Sequence, residues 1–230
     1  MRIAVLTAYT KNNPWTDNGK CDFLEAAYPN HMDYCLKHDY TYIAECYEDI
    51  EIKGIHPTWI KIFAIQKFIK HFDYVCWIDA DAIFTNSDFT VEQFLEEDTN
   101  LVLCQSNPDK RTNNMFTVIN TGFMIFKNNS WSHNLLQSLV DNSGVFKTEY
   151  FQEQTVLDNY LKDNGYYDKS PILNSMSSDS LKERYQYNNI IILPSTYHCY
   201  EISDKPKFIY HAAGDSANKK NKLIQYLQNV

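Results

Sequence analysis

Apolar residues in this chain gather in short blocks separated by polar stretches rich in Pro, Asn and Ser. Residues 2–7 (RIAVLT) form a continuous β-rich run, the pattern of a strand buried on both faces. Residues 40–46 (YTYIAEC) alternate and predict a second strand. Residues 74–78 (YVCWI) and 101–105 predict two more, and runs within 118–126, 190–193 and 208–210 predict the last ones. Helical patterning covers 22–38, with an interruption expected at Pro29, and recurs at 58–71, 91–97, 130–142 and 149–161. Pro57 stands near the start of the second helix, where its missing N–H is harmless, and Ser130 is the expected cap of 130–142. Residues 11–20, 106–117 and 164–189 read as loops or irregular chain, and 219–230 as a terminal helix or tail. Strands alternate with helices over the first ~130 residues, so an α/β layered domain with a mainly parallel sheet is expected.

Composition narrows the class. A chain of 230 residues fits one domain and buries enough surface, roughly 70%, to need no covalent staples. Its formal charge of -8 argues against a nucleic-acid binder with a broad basic face. A nucleotide ligand stays open, because a divalent metal neutralises a diphosphate locally. The cysteines at 21, 35, 46, 76, 104 and 199 include no CxxC pair and read as buried, reduced thiols. No 18-residue apolar segment predicts a membrane span, and the apolar part of the N-terminus is too short for a signal peptide. A cytoplasmic location is therefore expected.

The candidate chemistry starts where the third strand stops. In YVCWIDADAIFTN, two carboxylates, Asp79 and Asp81, follow a run built for burial. In extended chain, residues i and i+2 share a face, and two like charges there repel unless a cation lies between them. A hard divalent ion, Mn²⁺ or Mg²⁺, resolves that conflict. Two metal-dependent readings compete with solvated loop carboxylates. A phosphatase of the haloacid dehalogenase type would use Asp79 as nucleophile, but its motif is usually near the N-terminus, and position 83 is Ile where Thr or Val is expected. A nucleotide-sugar transferase would hold its donor's diphosphate through the metal. That second reading demands a nucleoside cradle after the first strand, and Thr7, Ala8 and Tyr9 stand there. It also demands a late metal ligand. FIYHAAGDSANKK offers His211, with Gly214 for close backbone approach and Lys219 and Lys220 for phosphate charge.

Four blocks together resemble glycosyltransferase family 34, which includes yeast α-galactosyl- and mannosyltransferases and plant xyloglucan xylosyltransferases. They are Trp59-Ile60-Lys61 with WIDADAIFTN, then NTGFMIFKNNSWSHNLL, then Glu153-Gln154, and His211-Ala212-Ala213-Gly214. The resemblance implies a GT-A fold, Mn²⁺ dependence with Mg²⁺ as substitute, and transfer with retention from a nucleoside-diphosphate sugar to a glycan hydroxyl. UDP-hexose or UDP-pentose is the favoured donor and GDP-mannose the alternative. It implies metal ligation by Asp79, Asp81 and His211. Asn120, Thr121 and Gly122 would line the sugar and acceptor pocket, and Glu153 and Gln154 would face the reacting carbon. Lys61 would reach toward the donor or the carboxylates. The catalytic set so implied is Glu153, Gln154, Lys61 and Asn120. The donor site takes in Thr7, Ala8, Tyr9, Trp59, Lys61, Asp79, Ala80, Thr121, Gly122, Gly214, Lys219 and Lys220. Asn and Gln suit sugar hydroxyls because each amide both donates and accepts.

One domain over 1–230 is expected, with a nucleotide-binding half (1–105), a sugar and acceptor half (106–218) and a C-terminal helix or tail (219–230). Glu153 is one methylene longer than the family's Asp, which bears on the donor sugar accepted. The family's transmembrane anchor is not expected here. A glycan-binding domain without catalysis is the non-enzymatic alternative, and tyrosines 166, 167, 185 and 187 are candidates either for sugar stacking or for packing.

Overall fold

Strands β1 (Ile3–Thr10), β2 (Thr41–Tyr47) and β3 (Tyr74–Ile78) run in parallel, with β1 hydrogen-bonded to both of the others. This is a computed structural model, and it describes residues 1–10, 23–47, 55–106, 119–143, 152–166, 184–199, 206–213 and 218–229. Much of the three predicted loops, and Gly214, lie outside the described residues. Beyond β3 the sheet continues through β6 (Ile119–Lys127), β5 (Leu101–Gln105), β8 (Ile190–Leu193) and β7 (Tyr185–Tyr187), giving the order β2-β1-β3-β6-β5-β8-β7. Strands β6 and β7 run opposite to the rest. The sheet is thus mainly parallel, as the strand–helix alternation predicts.

Central strand β3 is buried along its whole length, because helices cover both faces of the sheet. On one face α2 (Ile60–Phe68), α3 (Ser130–Asn142) and α4 (Gln152–Asp163) pack Ile62, Leu135 and Leu157 against Leu6, Trp77 and Met124. On the other, α1 (Phe23–His38) packs Tyr34 and Cys35 against Val5, Cys76 and Phe123. A second, three-stranded sheet of β4 (Ala82–Phe84), β10 (Ile209–His211) and β9 (His198–Cys199) lies on this side. The C-terminal helix α5 (Lys219–Asn229) stacks Tyr226 on Tyr210.

Several local expectations change. Helix α1 runs through Pro29 without a break. The helix expected at 58–71 is α2 flanked by one-turn 3₁₀ segments, and the one at 91–97 is a 3₁₀ turn, Val91–Phe94. Asn129, not Ser130, caps α3, its side chain accepting from the Ser132 N–H at 3.0 Å. Cys35, Cys76 and Cys104 are buried and reduced, but Cys46 is exposed, since β2 is an edge strand. Among the described residues no helix is long and apolar enough to cross a membrane.

Helix α1 also fastens β4. The Asn30 amide both donates to the Phe84 carbonyl and accepts from the Phe84 N–H, each at 2.8 Å. His31, fully buried, bonds the Ala82 carbonyl at 2.8 Å and the Tyr42 hydroxyl at 2.9 Å. Burial, opposed by the bond to Ala82, moves this histidine from 6.5 to about 4. The unfolded chain then binds a proton that the fold refuses. This part of the stability is present above pH 6.5 and falls by about 3 kcal/mol as the pH drops to 4. His31→Gln should flatten the stability profile across that window in urea denaturation; an unchanged slope would contradict the assignment.

Candidate active site

The peptide after β3 does not stay extended. Ala82 N–H donates to the Asp79 carbonyl at 3.0 Å, closing a turn that aims both carboxylates inward. The chain then re-enters as β4, which pairs antiparallel with β10 and sets Ala82 opposite His211. Ala212 N–H adds a bond to the Asp81 carbonyl at 2.9 Å. This pairing carries His211 across 130 residues of sequence to the carboxylates: its Nε2 lies 3.1 Å from Asp81 Oδ1 and 3.6 Å from Asp79 Oδ2.

One ligand atom each from Asp79, Asp81 and His211 falls within 4.8 Å of the others. Two carboxylate oxygens and an imidazole nitrogen suit a hard or borderline divalent ion such as Mn²⁺ or Mg²⁺, so the residues fit the metal. Lys219, from the start of α5, contacts Asp81 Oδ2. Burial would raise the Asp81 carboxyl, but Lys219 and then His211 outweigh it and hold the group well below the usual carboxylate range. Lys219 also lies over the Phe23 ring, and Lys220 pairs with Glu25 of α1 at 2.7 Å.

A second cluster adjoins the first. Lys61, on the first turn of α2, is 5% exposed yet sits 3.0 Å from Asp79 Oδ1 and 3.0 Å from Glu153 Oε1. Burial alone would pull this lysine below its ordinary value. Asp79 and then Glu153 override it, and the ammonium is held above the ordinary lysine value. Asp79 Oδ1 also accepts from Trp77 Nε1 at 2.7 Å. With both oxygens engaged by Trp77 and Lys61, Asp79 is poorly disposed as the nucleophile of a dehalogenase-type phosphatase.

Strand β6 supplies the floor. Thr121 Oγ1 donates to Glu153 Oε1 at 3.0 Å, and its N–H donates to Gln154 Oε1 at 3.0 Å. Asn120 Oδ1 accepts from Gly122 N–H at 2.7 Å. Glu153 Oε2 is buried and meets no hydrogen-bond partner among the described residues. Gly122 lies under the His211 ring, where a Cβ would come 2.6 Å from Nδ1 and 2.7 Å from Cε1. Gly122→Ala should therefore push His211 away from the carboxylates. The expected outcome is a 10- to 100-fold weaker Mn²⁺ affinity by calorimetry, of the order seen when a ligand's support is lost. Wild-type affinity in that variant would remove the glycine from the site.

Other anticipated residues fall around this centre. Ala8 is buried in the core on the α2 face, Ala80 is buried between the two carboxylates, and Tyr9 is half-buried against the cluster of α1 and α5. Thr7 and Trp59 have no exposed surface, and Trp59 packs in the core on the α2 face of the sheet. Tyr166 meets Trp131 edge-on and Tyr185 stacks on Tyr187, all packed against the core, so these tyrosines serve packing. Tyr167 is outside the described residues.

Two participants escape the sequence reading. Trp77 shares a face with Asp79 by the same i, i+2 rule and was open to detection. His198 was not: its fully buried ring stands 3.1 Å, Nε2 to Nδ1, from His211, a contact made by the β9–β10 pairing. Burial, then its neighbour His211, push His198 well down from the ordinary histidine value.

Comparison with known proteins gives the assembly a lineage. A family model matches residues 1–190. The chain belongs to the galactosyl transferase GMA12/MNN10 family. Within reach of this GMA12/MNN10 member is "Probable glycosyltransferase 6" of Oryza sativa subsp. indica, 28% identical over 137 residues, 58% of this chain and 28% of that protein. "Xyloglucan 6-xylosyltransferase 2" of Arabidopsis thaliana is 28% identical over 120 residues, 50% of this chain and 25% of that protein. The family member thus spans about a quarter of the length of the curated relatives it matches. A solved glycosyltransferase involved in the glycosylation of the major capsid of PBCV-1 has the same fold over 100% of both chains, with a TM-score of 0.64 at 14% identity. That likeness identifies the fold as GT-A.

Proposed function

We propose that this chain is a metal-dependent, retaining glycosyltransferase that moves a sugar from a nucleoside diphosphate to a hydroxyl of a glycan. The donor is a UDP-hexose or UDP-pentose in the first instance and GDP-mannose as the alternative. The observation that carries the reading is the convergence of Asp79, Asp81 and His211 beside Glu153, from segments far apart in sequence. These three would hold Mn²⁺ or Mg²⁺, which when bound neutralises the diphosphate and stabilises charge on the departing nucleotide. The half 1–105 is assigned to the nucleotide and 106–218 to the sugar and acceptor.

The chain's own groups have definable parts. Lys61 supplies a positive charge shared by Asp79 and Glu153 and keeps the two carboxylates in fixed positions. Thr121 orients both Glu153 and Gln154 through separate bonds. Glu153 Oε2, buried and without a hydrogen-bond partner among the described residues, is the oxygen best disposed to balance positive charge developing at the donor's anomeric carbon. Retention follows from the family resemblance: the acceptor hydroxyl attacks on the face from which the diphosphate leaves. The new C–O bond forms as the sugar–phosphate C–O bond breaks, and the hydroxyl proton passes to a leaving-group oxygen. No separate general base is needed.

A thermal-shift screen of UDP- and GDP-sugars, with and without Mn²⁺, tests this. At a hundredfold excess over its dissociation constant, the true donor should stabilise the fold by about 3 kcal/mol, several degrees in Tm, and only with the metal. The absence of a shift with every nucleotide sugar would count decisively against transfer. A shift with free glycans that ignores Mn²⁺ would favour a glycan-binding domain.

A further inference from the structure

We infer that His198 is the positioning residue of the cation site, accepting the Nδ1–H of His211 and so fixing which ring nitrogen His211 turns toward the carboxylates. The inference rests on the metal reading above. His211 Nε2 is the atom that faces Asp81 and Asp79. To offer that nitrogen's lone pair to a cation, a neutral imidazole must carry its proton on Nδ1, and a proton there needs an acceptor. The atom 3.1 Å from Nδ1 is His198 Nε2.

The contact is built by the fold. Parallel pairing of β9 with β10 sets His198 beside Ile209, two residues before His211. The two rings meet edge to face, 5.0 Å between centroids and 72° between planes, which directs one ring's nitrogen at the other's. Gly122 supports the His211 ring at the same Nδ1–Cε1 edge. The ring is thus held by van der Waals contact and by a directed bond at once. Its rotation about the Cβ–Cγ bond, which would put a ring carbon where each nitrogen stands and lose the ligand, is opposed by both. Support of this kind around a metal-bound imidazole is typically worth 10- to 100-fold in metal affinity.

Two measurements test it. The first is calorimetric titration of Mn²⁺ into the wild type, His198→Gln and His198→Leu. Leucine removes the acceptor and should weaken Mn²⁺ binding by 10- to 100-fold, whereas glutamine can place an amide oxygen near the lost Nε2 and should stay close to wild type. The second is nitrogen-15 NMR of the wild type with saturating Mg²⁺, which should find His211 protonated at Nδ1 and His198 unprotonated at Nε2. The inference is overturned if the leucine variant binds Mn²⁺ like the wild type, if glutamine fares no better than leucine, or if His211 carries its proton on Nε2. Should the leucine variant fail to fold, the wild-type tautomers decide alone. A wild type that binds neither Mn²⁺ nor Mg²⁺ would instead overturn the metal reading itself, and this inference with it.

Discussion

Asp81→Asn should lower the rate of sugar transfer by at least about 10²-fold and abolish measurable Mn²⁺ binding, since electrostatic stabilisation of a departing group is typically worth about 3–4 kcal/mol. Asparagine keeps the size of the side chain and an oxygen for Lys219, so the turn after β3 is expected to survive. What is lost is the negative charge between His211 and Lys219. Because those neighbours hold the Asp81 carboxyl below the ordinary range, its ionised form stabilises the metal-free fold at neutral pH, and that contribution fades as the pH falls through the lowered value. A small drop in Tm of the metal-free variant is therefore also expected. The checks are donor turnover at saturating Mn²⁺ and titration calorimetry. Unaltered turnover and metal binding would sink the assignment of Asp81 as a ligand.

Lys61→Met carries the largest expected cost to stability. The lysine is buried between Asp79 and Glu153, and removing it leaves two carboxylates facing each other with their shared cation gone. Breaking a buried ion pair from one side typically costs about 3–5 kcal/mol. For a domain of this size that corresponds to a fall in Tm of roughly 6–20 °C. Methionine keeps most of the buried stem's volume, so the loss reports charge rather than packing. The double variant Lys61→Met/Glu153→Gln should recover part of it, because one of the stranded charges is then neutral. Thermal and urea denaturation of the two single variants and the pair form a double-mutant cycle. A Lys61→Met protein as stable as the wild type, or a double variant whose losses simply add, would show that the three groups are not coupled.

The legibility of the site differs residue by residue. Asp79 and Asp81 stood out because a like-charged pair at the end of an apolar run is locally anomalous. Their geometry was read less well. The i, i+2 logic of an extended chain put both on one face, while the structure achieves convergence through a turn closed by the Ala82 N–H. Lys61, Thr121, Glu153 and Gln154 came from the family blocks, and no spacing rule joins them. Their contact depends on α2 and α4 both packing on the same face of the sheet, next to β6. Lys219 was expected to serve phosphate, and in the structure it contacts Asp81. The two roles are compatible, since a lysine beside the cation's ligands also lies near the diphosphate that the cation would hold. The expected cap at Ser130 missed by one residue, because Asn129 offers an equally good acceptor one position earlier.

Local pattern along the chain sets the class of fold and the position of the carboxylates. Buried strands announce themselves as apolar runs, helices as longer periodic segments, and both signals are local. It also determined the family, through blocks whose order survives whatever the loops do. How the site closes follows from long-range strand pairing alone. Strand β4, three residues long, is too short to be read from periodicity, yet its antiparallel pairing with β10 brings His211 to Asp81. The two-residue strand β9 then sets His198 behind His211. Pairing between segments more than a hundred residues apart depends on how the helices and strands between them pack. A local pattern carries no record of that.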